Sequence, residues 1–403
     1  MVITINFTIV NLRQNNIIRL YDENHKVFFL WTKRPLKKEK KKVLVVANND
    51  LGIGGIQSVI MSIIRTLSDE FQFDIVVFDH THTNYEEEVL RQGKIYTIQN
   101  RMTGNSIGKR LDYYIRFYRN YRELKKIIKE NGPYVAIHCH NFYEAAIGLL
   151  VAKQEKIPNR IVHSHSVLYV NKKKIVRRAY QAVYRIIMTH TATDFVACSR
   201  AAGEYLYGER NDIKVVPNGI DLSKFLTLDN QCTNKWSFVQ VGRWGALKNQ
   251  IFTVEVFAHI YRIHPEAQLT FIGDGDKEYL CRIKEKVQEL GVEKAVTYLP
   301  EDADVPNEMA KNNALMFPSV FEGLGIVAIE AQAVGMKCFA STGVPQEVNL
   351  GNVYFIDLAD GSKKWANTIS EEIEKSESKR HYVNMSSYDM NNVKEIYRAM
   401  YGG

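Results

Sequence analysis

Residues 213–242 read IKVVPNGIDLSKFLTLDNQCTNKWSFVQVG, and the fold is decided here. The stretch starts as a short β run, breaks at the turn signal Pro217-Asn218-Gly219, and ends in a second β run that closes on Gly242. Toward the N-terminus, the β runs KKVLVVANN, FDIVVFD, YVAIHCH, RIVHSHS and DFVACS alternate with helical segments such as residues 56–67 and 106–130. Toward the C-terminus, AQLTFIGDG, AVTYLP, ALMFPS, KCFAS and VYFID repeat the alternation. Each series is the pattern of a doubly wound parallel sheet. Two in succession predict an α/β chain of two Rossmann-like domains, residues 43–217 and 218–386. Ahead of them, the alternating runs VITINFTIV and KVFFLW predict a β extension, and seven basic residues among 33–42 predict a basic linker, together residues 1–42. Residues 387–403 read as a helix that crosses back to the first domain.

The chain has 403 residues, is 45% hydrophobic and 24% charged, and carries a formal charge of +8, an ordinary globular composition. The charge is uneven: residues 1–220 sum to +14 and residues 221–403 to −6. No stretch approaches the roughly 20 apolar residues of a membrane span, residues 145–152 being the longest candidate. The start MVITINFTIVNLRQ lacks the basic, apolar and small-residue regions of a signal peptide. Five scattered cysteines (139, 198, 232, 281 and 338), none in a C-x-x-C pair, speak against a disulfide framework or zinc cage and for a reducing cytoplasm. His138-Cys139-His140 invites a metal reading, but a strand aims its middle residue at the opposite face, so no metal is expected.

Ligands of open α/β sheets sit beyond the carboxyl ends of the strands. After the first main strand comes Gly52-Ile53-Gly54-Gly55, then a helix whose free N–H groups suit an anion. The third glycine of a dinucleotide fingerprint is missing, which sets aside a dehydrogenase despite Asp79 ending the next strand. Arg243 and Lys248 follow SFVQVG, and two cations there can neutralise a diphosphate. Gly273 and Gly275 follow the next strand, where backbone can lie close to a nucleotide. In PSVFEGLGIVAIEAQAVG (residues 318–335), Glu322 precedes Gly323-Leu324-Gly325 at a helix start, and Glu330 sits inside an apolar helix, where a carboxylate is costly to bury unless it finds partners: ligand hydroxyls, or protein groups if its role is structural.

The glutamates spaced E-x7-E, Arg243-x4-Lys248, the GDG turn and VPNGID together resemble the retaining glycosyltransferases of family four, of GT-B fold, and among them the bacterial capsule and exopolysaccharide transferases. The resemblance implies two domains facing each other across a cleft and a nucleotide diphospho-sugar donor, usually UDP-linked. It implies that Arg243 and Lys248 contact the diphosphate, that Gly323, Leu324 and Gly325 offer N–H groups to phosphate and sugar, that Glu322 binds sugar hydroxyls and Glu330 the ribose, and that residues 299–305 lie near the base. Pro300 stands there where the family commonly has Gly. Gly54 and Gly55 match the family's Gly-Gly loop, and Gln57 stands where many members carry Glu. His165, closing RIVHSHS, is favoured over His163 as the histidine that touches the transferred sugar, and His138 and His140 form a second pair near the acceptor. The catalytic set is then His165, Glu322, Arg243 and Lys248, with His138, His140 and His163 on the acceptor side and neither metal nor other cofactor.

The family's first domain binds the acceptor, which for capsule-type members is a glycan on a lipid diphosphate at the inner membrane face. In residues 109–129, rich in basic and aromatic side chains, Leu111, Tyr114, Tyr118, Tyr121 and Leu124 fall near helical spacing, with many basic residues elsewhere around the helix. This amphipathic helix and the cluster Lys172-Lys173-Lys174 with Arg177-Arg178 suit an anionic membrane surface. Nucleic acid is set aside because no recognition motif accompanies the charge. The alternatives are a GT-B nucleotide-sugar epimerase and a non-catalytic GT-B subunit. The four charged residues 243, 248, 322 and 330 speak against both.

Overall fold

In the computed structural model, strands β1 (Thr8–Val10), β2 (Ile17–Tyr21) and β3 (Val27–Trp31) form an antiparallel meander, with Thr8 opposite Tyr21 and Ile17 opposite Trp31. The structure describes residues 8–10, 17–21, 27–31, 39–47, 51–52, 54–78, 84–99, 108–165, 175–226, 232–375 and 380–403, of which 8–31, 108–115, 143 and 175–180 by backbone alone. Asp79, the linker residues 33–38 and the lysines 172–174 lie outside the described residues. Residues 1–41 and 42–403 are separate compact units.

The second unit holds two sheets. The first uses β4 (Lys41–Val46), β5 (Phe71–Phe78), β6 (Ile95–Ile98), β7 (Ala136–Cys139), β8 (Asn159–Ser164), β9 (Asp194–Ala197) and β10 (Ile213–Val215), in the order β10-β9-β8-β7-β4-β5-β6. The second uses β11 (Ser237–Val241), β12 (Gln268–Ile272), β13 (Val296–Leu299), β14 (Ala314–Phe317), β15 (Lys337–Ser341) and β16 (Val353–Ile356), in the order β13-β12-β11-β14-β15-β16, parallel throughout. Both are buried on two faces, as continuous Val/Ile/Leu runs require. Along β4, Leu44 and Val46 enter one core while Val43 and Val45 enter the other. Strand order reverses between β4 and β7 and between β11 and β14, so the loops after β4, β11 and β14 open at switch points, where ligands bind in such sheets.

The last helix, Met390–Met400, lies on the first sheet. Met390, Val393, Tyr397, Met400 and Tyr401 pack with Val43, Val45, Ala136 and Ile161. Asp389 caps its start by accepting from the Asn391 N–H at 2.8 Å, and Arg398 pairs with Glu70 at 2.9 Å.

The basic helix Gly108–Asn131 departs in detail from its sequence reading. Its inward stripe is Phe117, Tyr121, Leu124 and Ile128, whereas Tyr118, expected on that stripe, is 62% exposed. The i, i+4, i+7 spacing from Phe117 fits the sheet better, and turns Tyr118 about 100° away from it. No helix among the described residues is long and apolar enough to cross a membrane.

Candidate active site

Between the two sheets of the second unit lies a cleft of about 400 Å³. The first sheet contributes Gly54, Gly55, Ser58 and His165, and Asn218 comes from the connecting turn. Facing them are Arg243, Lys248, Gly273, Asp274, the loop Glu322 to Gly325, and Glu330.

The loop after β11 is held from beneath by two buried glutamines. Gln240 donates to the Lys248 carbonyl at 2.7 Å and Gln250 to the Arg243 carbonyl at 3.0 Å. The two cations therefore stand on fixed backbone. Lys248 Nζ donates to Glu322 Oε1 at 2.6 Å and sits 5.2 Å from the centre of the Phe317 ring, while Arg243 is exposed at the mouth. An ammonium and a carboxylate so placed form one unit: a negative ligand entering the cleft shares the lysine with Glu322.

Behind this pair, β14 runs through residues 318–325 into the helix Ile326–Ala333. Gly325 caps that helix at φ 92°, a left-handed conformation, and a Cβ there would meet Phe317 at 2.9 Å. Neither feature tolerates a side chain, which is why glycine stands where the helix N-terminus opens on the cleft. From the first sheet's side, Ser199 reaches across to donate to the Gly323 carbonyl at 2.8 Å while capping its own helix, Arg200–Tyr207. Glu330, one turn into the helix, lines the inner wall, where burial pushes its carboxyl up to about 7 and Lys224 partly counters the rise.

Gly273 lines the cleft, and a Cβ there would run into the Gly242 carbonyl, whereas Gly275 does not line it. Gly275 instead bridges Trp244, whose N–H donates to the Asp274 carbonyl at 2.8 Å. Gly275 is thus needed for joining the loops after β11 and β12, not for backbone approach to a ligand. From residues 299–305, Glu301 and Val305 reach the lining.

Of the four histidines, only His165 lines the cleft. His138, His140 and His163, expected near an acceptor, are 0%, 3% and 1% exposed. They project from β7 and β8 onto the face that the C-terminal helix covers, so no acceptor touches them directly. His140 Nδ1 and His165 Nε2 are 2.7 Å apart, which links the cleft histidine to the buried ones. Burial pushes the His165 imidazole down to about 3, so it works as a neutral ring. Cys139 points into the opposite core.

Sequence reasoning did not find Gln240, Gln250, Ser199 or Asn218. The signal for Gln240 was present, since an amide inside the apolar run SFVQVG must find a partner. Nothing local marks Ser199, whose partner is 124 residues away.

Two family models match: glycosyltransferase family 4 over residues 53–224 and glycosyl transferases group 1 over residues 230–390, most of the chain between them. The putative glycosyltransferase EpsF of Bacillus subtilis is 28% identical over 86% of this chain and 92% of its own length. The Escherichia coli UDP-Gal:alpha-D-GlcNAc-diphosphoundecaprenol alpha-1,3-galactosyltransferase is 24% identical over 72% and 76%, and CapH of Staphylococcus aureus, a capsular polysaccharide biosynthesis glycosyltransferase, 24% over 86% and 96%. Among solved structures, HepE from Anabaena in complex with UDP and glucose has a TM-score of 0.65 at 17% identity, over 89% of this chain and 95% of that one, a likeness of fold. With two Rossmann-like lobes, a cleft at both switch points and both family models in place, the chain belongs to the family-four glycosyltransferases of GT-B fold.

Proposed function

We propose that the enzyme transfers a hexose or N-acetylhexosamine from a UDP-linked donor, with retention of anomeric configuration, to a glycan acceptor carried on a lipid diphosphate, in the assembly of a capsule or other cell-surface polysaccharide. The observation that carries this reading is the 2.6 Å Lys248–Glu322 pair beside a helix N-terminus and Arg243. Breaking the sugar–phosphate bond leaves negative charge on the diphosphate, and fixed cations and N–H groups aimed there lower the barrier. Arg243, Lys248 and the helix end take this role without a metal ion at the diphosphate. Glu322 orients the sugar hydroxyls, and neutral His165 faces the sugar from the other lobe. The acceptor hydroxyl attacks the face from which the diphosphate leaves, and its proton passes to the departing phosphate oxygen. A glycosidase-type carboxylate nucleophile is not invoked. The names of the E. coli and S. aureus relatives support the choice of acceptor and pathway, and the basic first half supports binding at an anionic leaflet.

The test is a screen of nucleotide sugars with a polyprenyl-diphosphate-linked sugar presented in anionic or neutral vesicles. A UDP-sugar is expected to give an α-linked product by NMR, faster on anionic vesicles and unaffected by added Mg²⁺ or Mn²⁺. A β-linked product, a free epimerised nucleotide sugar, or acceptance of another nucleotide alone would overturn the corresponding part.

Glu330 gives a second test. Ribose hydroxyls donate to the ionised carboxylate, so binding favours the deprotonated form. UDP affinity is therefore expected to rise up to about tenfold between pH 6 and pH 8, as the carboxyl of the free enzyme passes through about 7. Calorimetric titration of Glu330→Gln should lose that extra slope. An unchanged slope would remove Glu330 from the ribose site.

A further inference from the structure

The histidines beneath the C-terminal helix are unused by the transfer chemistry. His138 and His140 project from the end of β7, and His163 from β8, with ring centres 4.1 Å (138–140), 5.2 Å (140–163) and 5.4 Å (138–163) apart. One ring nitrogen from each lies within 4.8 Å of the others. In an apolar core, a buried imidazole nitrogen without a partner gives up its hydration with no bond in return. Yet His138 Nε2, His140 Nε2 and both nitrogens of His163 have no hydrogen-bond partner among the described residues. The hydroxyl of Tyr397, whose ring centre is 5.8 Å from His138 and 6.2 Å from His163, is also unpartnered.

The bonds that are made sharpen this pattern. His138 Nδ1 is 2.8 Å from the Tyr401 hydroxyl and His140 Nδ1 is 2.7 Å from His165 Nε2. When each Nδ1 donates its proton to that partner, the Nε2 lone pair is left free. Metal-bound histidines commonly show this arrangement, with an outer acceptor on one nitrogen and the ion on the other. Packing alone gives no reason for three buried imidazoles with unpartnered nitrogens to lie together.

We propose that His138, His140 and His163 bind a single Zn²⁺ ion beneath the C-terminal helix, with the Tyr397 hydroxyl beside the fourth position. Zn²⁺ suits imidazole ligands and four-coordination. Zn–N bonds of about 2.0–2.1 Å place tetrahedral ligands about 3.4 Å apart, so each ring moves inward by less than about 1 Å. The ion ties β7 to β8 and, through His140, fixes the ring of His165 at the cleft. Its three ligands are buried and do not line the cleft that holds Arg243 and Lys248, so the ion is independent of the diphosphate chemistry proposed above.

The test uses the full chain, dialysed against chelator and titrated with Zn²⁺ or Co²⁺ alone. One equivalent is expected to bind, to raise the melting temperature, and with Co²⁺ to give the intense visible bands of a tetrahedral site. His163→Leu fills the same space without lone pairs. It is expected to melt at or above the metal-free parent, to gain nothing from Zn²⁺, and to lack the tetrahedral Co²⁺ spectrum. Binding by the surface histidines alone would give a weak octahedral spectrum that His163→Leu retains. That result, or folded parent protein that takes up no ion, would overturn the proposal. Neither result bears on whether sugar is transferred.

Discussion

Lys248→Ala is expected to lower kcat for sugar transfer by about 10³-fold, the scale found when one preorganised stabiliser of a developing anion is removed. The effect has two parts. In the proposed reaction, one of two cations at the leaving diphosphate disappears. In addition Glu322, which the lysine holds at 2.6 Å, becomes an uncompensated carboxylate facing that same diphosphate. The parts can be separated. Adding Glu322→Gln to Lys248→Ala removes the repulsion, so UDP affinity should recover while transfer stays low, because neither the cation nor the sugar-orienting carboxylate returns. Steady-state kinetics and UDP titration of both variants check this. A single variant with more than a tenth of parental kcat would remove Lys248 from the chemistry.

Gly273→Ala is expected to destabilise the protein by about 3 kcal/mol and to abolish donor binding. A Cβ at this position would stand 2.2 Å from the Gly242 carbonyl oxygen and 3.0 Å from its carbon, and both atoms are backbone. Relief requires the ends of β11 and β12 to separate, which moves the loop that carries Arg243 and Lys248. The comparison is Gly245→Ala, in the same loop, where a Cβ meets nothing within 4 Å and the change in stability should stay below about 0.5 kcal/mol. Thermal melts and UDP titration distinguish the two. Equal melting temperatures would mean that the strand ends do not depend on this contact.

Both expectations concern residues that could be chosen from sequence, but their magnitudes come from the structure. Arg243 and Lys248 were legible because they follow a β run that ends in glycine, and Glu322 and Glu330 because carboxylates beside or inside an apolar helix demand partners. Their separation along the chain does not reveal that Lys248 and Glu322, 74 residues apart, form one ion pair. The glutamines beneath the loop went unread for a similar reason: the carbonyls they hold belong to residues 243 and 248, and only the turn of the chain after β11 brings these within reach.

The histidines show where local reading stops. The period of two in YVAIHCH and RIVHSHS correctly put His138 with His140 and His163 with His165 on one face, and turned Cys139 to the other. It could not say which face the C-terminal helix would cover, and so three of the four were expected at the acceptor and are buried instead. Similarly, the helical spacing of residues 109–129 marked an amphipathic helix, but the docking angle that exposes Tyr118 and buries Phe117 follows from packing against the sheet.

The sequence by itself determined that residues 42–403 build two α/β sheets with cations and glycines at strand ends, because hydrophobic period and turn chemistry are local properties. Tertiary structure alone decided that His138 and His140 lie buried beneath the C-terminal helix, that Ser199 touches the glycine loop, and that Gly275 serves a loop junction. Those outcomes depend on which surfaces meet, and contacts between distant segments are set by the packing of whole sheets and helices, not by the neighbours of any one residue.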